Sequence, residues 1–425
     1  MSDSPAAEAP LTVFVPLPPS YRGGTEEYAY RVAGRLADRF PVRVATTTAR
    51  WTDSPANLPL GRATLELLEA HERFERPVVP ARARERLRAL VRSSSVVHLH
   101  MPFPRVERWV AEEARSSGIP LLLTYHMDAD LGAATGNPAA SVITALYRRL
   151  SARPALERSQ AVVSNSRGYA EASPVLRHFL PKVRVIAKGI DPSRLGGARA
   201  EVRPGLPEAP SPYWTPVPPG EKRLLFVGRL VRYKGLRLLL DAVARLAARR
   251  VPLHLLVAGR GPERERLRRR SERLDLRSSV TFLGFVPDAE LGALYRGADL
   301  AVCPSVSRLE STPTSLEEAA SFGVPTLGSD WPGASESLPN DGVRGLLVPP
   351  KDVAAIETGI VRLLRDGRRS SAPRIRTWAD VADDYAGLIR ELTISGTRPP
   401  TNDPSGPTSR ASAGPGGKGN GEGIG

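Results

Sequence analysis

Short apolar runs alternate along this chain with stretches whose apolar residues return every three or four positions. Residues 11–15 form an apolar run of strand length. Residues 25–39 follow, with Tyr28, Val32 and Leu36 four apart on one helical face. Strand-like runs recur at 42–46, 96–100, 121–125, 161–165 and 183–186. A second series opens at 224–227 and continues at 253–258, 280–283, 300–303, 325–327 and 346–348. Helical stretches lie between them; in 236–246 the stripe is Leu236, Leu239, Leu240 and Val243. Strands separated by helices predict parallel sheets covered on both faces.

Between the two series, residues 195–220 are rich in Pro, Gly and Ala and read as a linker with little structure of its own. From residue 395 onward Gly, Pro, Ser, Thr and Asn leave almost no apolar side chain, so a disordered tail is expected. The pattern predicts an α/β protein of two doubly wound, Rossmann-like domains, over 1–195 and 222–375, with the linker at 196–221. Ligands of such sheets bind beyond the carboxyl ends of the strands. Two such domains facing each other would gather those loops around one cleft.

A chain of 425 residues agrees with more than one core. Its 41% hydrophobic and 25% charged residues exclude a mostly disordered protein. No apolar run approaches the roughly 18 residues of a membrane span. The polar, acidic residues 1–10 do not read as a signal peptide. The single cysteine, Cys303, excludes a disulfide framework and a cysteine-based zinc site, and a cytoplasmic protein is expected. The net charge of +15 fits anionic partners: nucleotides, phosphates, an acidic membrane surface or nucleic acid. Almost all of the basic residues are arginine, which singles out Lys182, Lys188, Lys222, Lys234, Lys351 and Lys418.

Candidate chemistry sits just after strands. Gly23 and Gly24 precede the first helix, where backbone can approach an anion at a helix N-terminus; an ordinary turn explains them as well. Arg229 and Lys234 lie five apart after the first strand of the second series, beside a helix start. Both charges and the helix N-terminus favour a diphosphate. Glu310 and Glu318 flank residues 311–317. Carboxylates accept hydrogen bonds from sugar hydroxyls, and the 311–315 amides can receive phosphate oxygens; helix capping and a solvated face fit the same residues. His98, His100 and His126 follow or end two strands, but no third ligand at motif spacing supports zinc. Asp128 and Asp130 are a loop acid pair of metal-site spacing. Gly259-Arg260-Gly261-Pro262 lacks the third glycine of a dinucleotide fingerprint. The arginine-rich helices at 82–92 and 264–273 read either as solvated faces or as contacts with anionic lipid headgroups. Nothing accompanies their charge that would mark a nucleic-acid module.

Taken together, these residues resemble a retaining glycosyltransferase of the GT-B fold, family four, with features of the mannosyltransferase-like branch. The resemblance runs to about Leu392. It is carried by Glu310-x7-Glu318 with Gly323-Val324-Pro325, by Val227-Gly228-Arg229 with Lys234-Gly235, and by Gly23-Gly24-Thr25-Glu26. The stretches 283–286, 345–350, 97–104 and 305–310 also match. It implies that Arg229 and Lys234 hold the donor diphosphate and that Glu318 binds the nucleotide ribose. Glu310, with Ser311, Thr312, Thr314 and Ser315, would hold the transferred sugar and nearby phosphate oxygens. His126 would stand near the reacting sugar, and Gly24 would approach the phosphate. A last helix over 376–394 would pack back toward the N-terminal domain.

The implied activity is retaining transfer of a hexose from a nucleotide-diphosphate sugar, GDP-mannose or a UDP-sugar, to a hydroxyl of a glycan, lipid-linked or small-molecule acceptor. No cofactor and no metal is implied. Rival readings are a GT-B epimerase or phosphorylase, or an inactive nucleotide-sugar-binding protein. Lys188 stands where the family usually has Asn, Thr312-Pro313 where Phe-Gly is frequent, and Met101 where Asn is frequent. The first two departures touch the surroundings of the donor, so the donor sugar stays open.

Overall fold

In a computed structural model of the chain, residues 9–19, 23–48, 60–73, 76–129, 138–195, 212–214, 217–307, 313–341, 344–366 and 376–396 are described. The first half builds a seven-stranded sheet from β1 (Leu11–Phe14), β2 (Val42–Thr47), β3 (Thr64–Leu68), β6 (Val96–Met101), β7 (Leu121–Tyr125), β8 (Ala161–Ser164) and β9 (Val183–Val185). Its order is β3-β2-β1-β6-β7-β8-β9 and every pairing is parallel. Two short strands, β4 (His71–Arg73) and β5 (Arg76–Val78), form a separate antiparallel pair.

The helices of this half are α1 (Gly24–Leu36), α2 (Arg84–Arg92), α3 (Val106–Ser116), α4 (Pro138–Tyr147), α5 (Arg153–Arg158) and α6 (Arg167–Ala172). A π-helical segment, Arg148–Ala152, joins α4 to α5. Tyr28, Val32 and Leu36 of α1 are all buried, as their spacing predicts. In α2, Leu87, Leu90 and Val91 form the buried side.

The second half forms a six-stranded sheet of β10 (Lys222–Val227), β11 (Leu253–Ala258), β12 (Val280–Gly284), β13 (Leu300–Cys303), β14 (Thr326–Ser329) and β15 (Gly345–Val348). The order is β12-β11-β10-β13-β14-β15, again parallel throughout. Its helices are α7 (Leu236–Ala248), α8 (Arg264–Arg273), α9 (Asp288–Gly297), α10 (Thr314–Ser321), α11 (Ala334–Ser337) and α12 (Val353–Asp366). Both sheets are Rossmann-like and doubly wound, as the alternation of strands and helices predicts. The strand order reverses beside β1 in one and beside β10 in the other, the crevices where such sheets take ligands.

The last helix, α13 (Trp378–Gly396), joins the core of the first half. Trp378, Val381, Tyr385, Ile389 and Leu392 pack with Tyr28, Val32 and Leu36 of α1. Ser395 and Gly396, assigned by composition to the tail, belong to this helix.

Three features differ from the sequence pattern. The edge strand β3 carries polar and exposed positions, so it lacks the apolar run that marks a buried strand. Leu195, expected to open the linker, is fully buried in the core of the second half. Trp214 joins that core and donates its indole N–H to the Leu294 carbonyl at 3.2 Å. A tryptophan that can bury its ring and satisfy its N–H is a core residue whatever the composition around it. Residues 196–211 of the expected linker and the tail from 397 onward lie outside the described residues.

Candidate functional site at the facing strand ends

The candidate residues lie where the two sheets present their carboxyl ends. Gly24 opens α1 after β1, with open space where a Cβ would point. Arg229 is exposed after β10, while Lys234 is 9% exposed and its side chain lies over Gly228. Gly235 adopts φ +73°, and a Cβ there would drive into the Pro304 carbonyl. The backbone of the lysine loop is thereby held against the segment after β13. Val306 N–H donates to the Tyr233 carbonyl at 2.7 Å, which ties the two loops together.

Gly259 and Gly261 have a packing explanation that does not involve a dinucleotide. A side chain on either would meet the backbone of Gly228 or Leu230, so these glycines let the β11 loop stack on the β10 loop.

Glu310, Ser311 and Thr312 lie outside the described residues. Thr314 and Ser315 form the first turn of α10, and the Ser315 hydroxyl is buried without a partner among the described residues. The side-chain oxygens of Asn165, just after β8, and Ser329, at the end of β14, are in the same condition. Buried polar atoms are normally satisfied. Three such atoms, two at strand carboxyl ends and one at the start of α10, fit a crevice built for a polar ligand.

Glu318 is buried on the second turn of α10 and accepts a 2.8 Å hydrogen bond from Tyr295 OH. Burial is the main cause that lifts its carboxyl to about 7; the nearby Glu27 charge adds to the rise and Arg194 opposes it.

Sequence reasoning did not find Arg194. Its guanidinium lies 3.4 Å from Glu318 and 3.1 Å from Glu27 of α1, and it also pairs with Asp288 at the start of α9. Burial works against its charge, but these three carboxylates, with Asp191, outweigh burial and raise its pKa. One side chain therefore joins the first helix of one half to two helices of the other. Nothing in the sequence distinguishes this arginine from its many neighbours. A second bridge lies at α6, where the backbone N–H groups of Arg167 and Gly168 donate to the Glu336 carboxylate at 2.8 and 2.6 Å. A carboxylate at a helix N-terminus is favourably placed against the helix dipole.

His126 follows β7 and is partly buried. Its Nε2 lies 2.8 Å from His100 Nδ1, and the two rings stack. Burial, with Lys188 and His98 as lesser causes, drives His126 down to about 3. Burial alone brings His98 to about 3, and burial, with His98 and His126 as lesser causes, lowers His100 well below the usual imidazole value. All three rings are neutral at physiological pH.

His100 Nε2 and His98 Nδ1 are sealed without partners among the described residues. An unpaired buried N–H is costlier than an unpaired lone pair. The His100 proton therefore belongs on Nδ1, donating to His126 Nε2, and the His126 proton on Nδ1. By the same rule His98 donates from Nε2 to Thr124 Oγ1 at 2.8 Å, and Thr124 meets Tyr385 OH of α13 at 2.8 Å. The imidazole of His126 is thus oriented as a neutral donor.

The acid pair at 128 and 130 separates. Asp128 is buried, accepting from Tyr125 OH at 3.0 Å and Ser173 Oγ at 2.7 Å, which is a structural role; Asp130 lies outside the described residues. Among the described residues, no three His, Cys, Asp or Glu side chains gather as a metal site, and no helix is long and apolar enough to cross a membrane.

Residues 22–194 match the family described as Glycosyltransferase Family 4, and residues 215–377 the one described as Glycosyl transferases group 1. The D-rhamnosyltransferase WbpZ of Pseudomonas aeruginosa is 30% identical over 309 residues, 71% of this chain and 72% of its own. The O-antigen chain mannosyltransferase C of Escherichia coli is 25% identical over 351 residues, covering 81% and 86% of the two chains. Among solved structures, HepE of Anabaena in complex with UDP-glucose superposes with a TM-score of 0.62. It covers 91% of this chain and 98% of its own at 18% identity, a likeness of fold, here GT-B. The relatedness runs through both sheets and the strand-end loops between them, and the chain belongs to family 4 of the glycosyltransferases.

Proposed function

We propose that the chain is a retaining hexosyltransferase acting on a nucleotide-diphosphate sugar, GDP-mannose or a UDP-sugar. The acceptor would be a hydroxyl of a glycan, a lipid-linked sugar or a small molecule. The observation that carries the reading is the reach of Arg194 from Glu27 to Glu318, which puts the nucleotide-side carboxylate at the seam of the two Rossmann-like halves. Relatives named for rhamnosyl and mannosyl transfer support a hexose donor.

Within this reading Arg229 and Lys234 hold the diphosphate, Glu318 the ribose, and Thr314, Ser315 and the amides at the start of α10 the phosphate oxygens. Gly24 lets backbone approach the same group from the first half. Glu310, Ser311 and Thr312 belong to the sugar side of the site. When the sugar–phosphate bond breaks, negative charge gathers on the diphosphate and positive charge on the sugar ring. Fixed cations and N–H dipoles aimed at the phosphates stabilise that state, so Arg229 and Lys234 take the part a metal would otherwise play. The acceptor attacks from the face the leaving group departs from, and the departing phosphate oxygen takes its proton. His126, neutral and presenting Nδ1–H, donates a hydrogen bond to the sugar and does not shuttle protons. Closure of the two halves keeps out water, which would otherwise consume the donor. The reading places the protein in the cytoplasm, in weak contact with an anionic membrane surface.

The test is sugar transfer from a panel of UDP-, GDP- and ADP-sugars, with thermal-shift binding as the first screen. Lys234→Ala and Arg229→Ala should each lower turnover about 100-fold or more, the size of effect expected for a group that meets transition-state charge. Their melting should stay close to that of the parent protein. Transfer should survive EDTA. Near-normal turnover in either variant, or loss in EDTA that magnesium or manganese restores, would overturn the corresponding role.

A further inference from the structure

We infer that the outward face of α4 and the π-helical segment after it is a docking surface for an anionic lipid bilayer. The feature is a helix turned the wrong way for a soluble surface. Val142, Ile143, Leu146 and Leu150 are 62, 58, 52 and 51% exposed. Val142, Leu146 and Leu150 recur every four residues, and Ile143 lies beside them, so the four make one continuous stripe. The other exposed large apolar residues among those described are scattered, apart from Leu65 and Leu67 on one face of the edge strand β3, and none of them forms a stripe of four.

The stripe is not a misplaced core face, because the opposite side of the helix is already fastened inward. Thr144 is buried, and Tyr147 donates from its hydroxyl to the buried Glu107 at 3.2 Å. Ser151 and Ala152 are buried in the next turn, where Ser151 Oγ accepts from the Arg105 backbone N–H at 3.0 Å.

The surroundings select the occupant. The C-terminal end of the stripe carries the exposed Arg105, Arg108, Arg149 and Arg153, of which Arg108 and Arg153 also pair with Glu112 and Glu157. Arg108 reaches the Leu150 carbonyl at 3.4 Å, and Arg105 lies 5.4 Å from the half-buried Trp109 ring. Apolar residues flanked by arginines and an aromatic ring suit the boundary between acyl chains and anionic headgroups. A second copy of the chain is a poor fit. A two-fold pairing of stripe on stripe would also bring the same arginines face to face.

The arginine-rich helix α2 is a weaker candidate for lipid. Arg82, just before it, and Arg84, Arg86, Arg88 and Arg92 within it pair with Glu69, Glu112, Glu66, Glu85 and Glu113. The stripe follows the loop that leaves β7 and His126, so the bilayer would lie beside the acceptor half of the cleft. The inference deepens the membrane contact of the proposed function and rests on that part of it, and not on the identity of the donor.

The test is co-sedimentation of the full chain with vesicles of phosphatidylcholine alone and of phosphatidylcholine mixed with phosphatidylglycerol. Binding is expected only to the mixed vesicles. The double variant Ile143→Gln/Leu146→Gln should lower it about tenfold or more. Arg149→Gln/Arg153→Gln should weaken it and reduce its sensitivity to salt. Melting of both variants should match the parent protein. Four results would overturn the proposal. The parent protein stays in the supernatant. The apolar variant binds undiminished. Ultracentrifugation finds a dimer that this variant dissolves, assigning the stripe to a second copy. The variant melts far below the parent, showing that another part of the chain covers the stripe. Sugar transfer is a separate readout, so failure of vesicle binding leaves the donor reading untouched and the reverse also holds.

Discussion

Protonation at single residues decides what the site can do. His126 sits at about 3 because burial, with Lys188 and His98 behind it, disfavours its charged form, so it carries no charge change through neutral pH. Glu318 is displaced the other way, to about 7, chiefly by burial. The sign of its effect on folding follows. A carboxyl whose folded pKa lies above its unfolded value stabilises the fold fully below about 4.5, and that contribution is lost as pH rises toward 7. Its effect on ligand binding runs opposite, since the ionised carboxylate is the better acceptor for ribose hydroxyls. Nucleotide affinity should therefore climb through pH 7 while the group's contribution to stability falls. Glu318→Gln should remove both trends and bind UDP or GDP about tenfold more weakly above neutrality. Calorimetry and melting across pH 5–9 check this. A limb near neutrality that persists in Glu318→Gln would assign the ionisation elsewhere.

At the scale of elements, much of the pattern was legible because strand and helix periods differ. The four-residue spacing of Tyr28, Val32 and Leu36 finds α1, and the apolar runs find β1, β6, β7, β10, β11 and β13. The edge strand β3 escaped because exposed positions remove the apolar run. Trp214 was assigned to a linker because composition averages over neighbours, while burial is decided by one side chain. The loop between β10 and α7 shows what spacing leaves unsaid. Lys234 is positioned by Gly235, whose left-handed backbone lies hard against Pro304. Gly118 has a similar φ, +68°, but open space around it. Gly118→Ala should cost about 1 kcal/mol, the strain of φ alone. Gly235→Ala should cost at least ~3 kcal/mol and displace Lys234, lowering turnover with it. Chemical denaturation and transfer assays compare the two, and equal losses would show that the close approach to Pro304 is unimportant.

Across the whole molecule, two bridges and one returning helix join the halves. Arg194 links Glu27 with Asp288 and Glu318, and Glu336 caps the N-terminus of α6. Helix α13 follows the second half in sequence yet completes the core of the first, and Tyr385 carries it to Thr124 beside the buried histidines. The domain that would bind the donor is thereby tied to the one that holds His126. Removing Arg194 leaves three carboxylates facing one another across the seam. Arg194→Gln should open the molecule, raising its radius of gyration in solution scattering and the donor KM about tenfold. Arg194→Lys should recover part of the loss. Superimposable scattering curves with an unchanged KM would reduce the bridge to an incidental surface pair.

The order of apolar and polar residues determined the two parallel sheets, because burial on both faces imposes a run on each central strand and a stripe on each helix. It also placed Arg229 and Lys234 in the loop after β10 and Glu318 within a helix, since a motif carries its own local spacing. Only the tertiary structure decided that Arg194 would span the seam, that three histidines would share one neutral cluster, and that α4 would turn Val142, Ile143 and Leu146 outward. Each depends on which side chain meets which across long separations. Charge state, tautomer and exposure are properties of those meetings rather than of any residue taken alone.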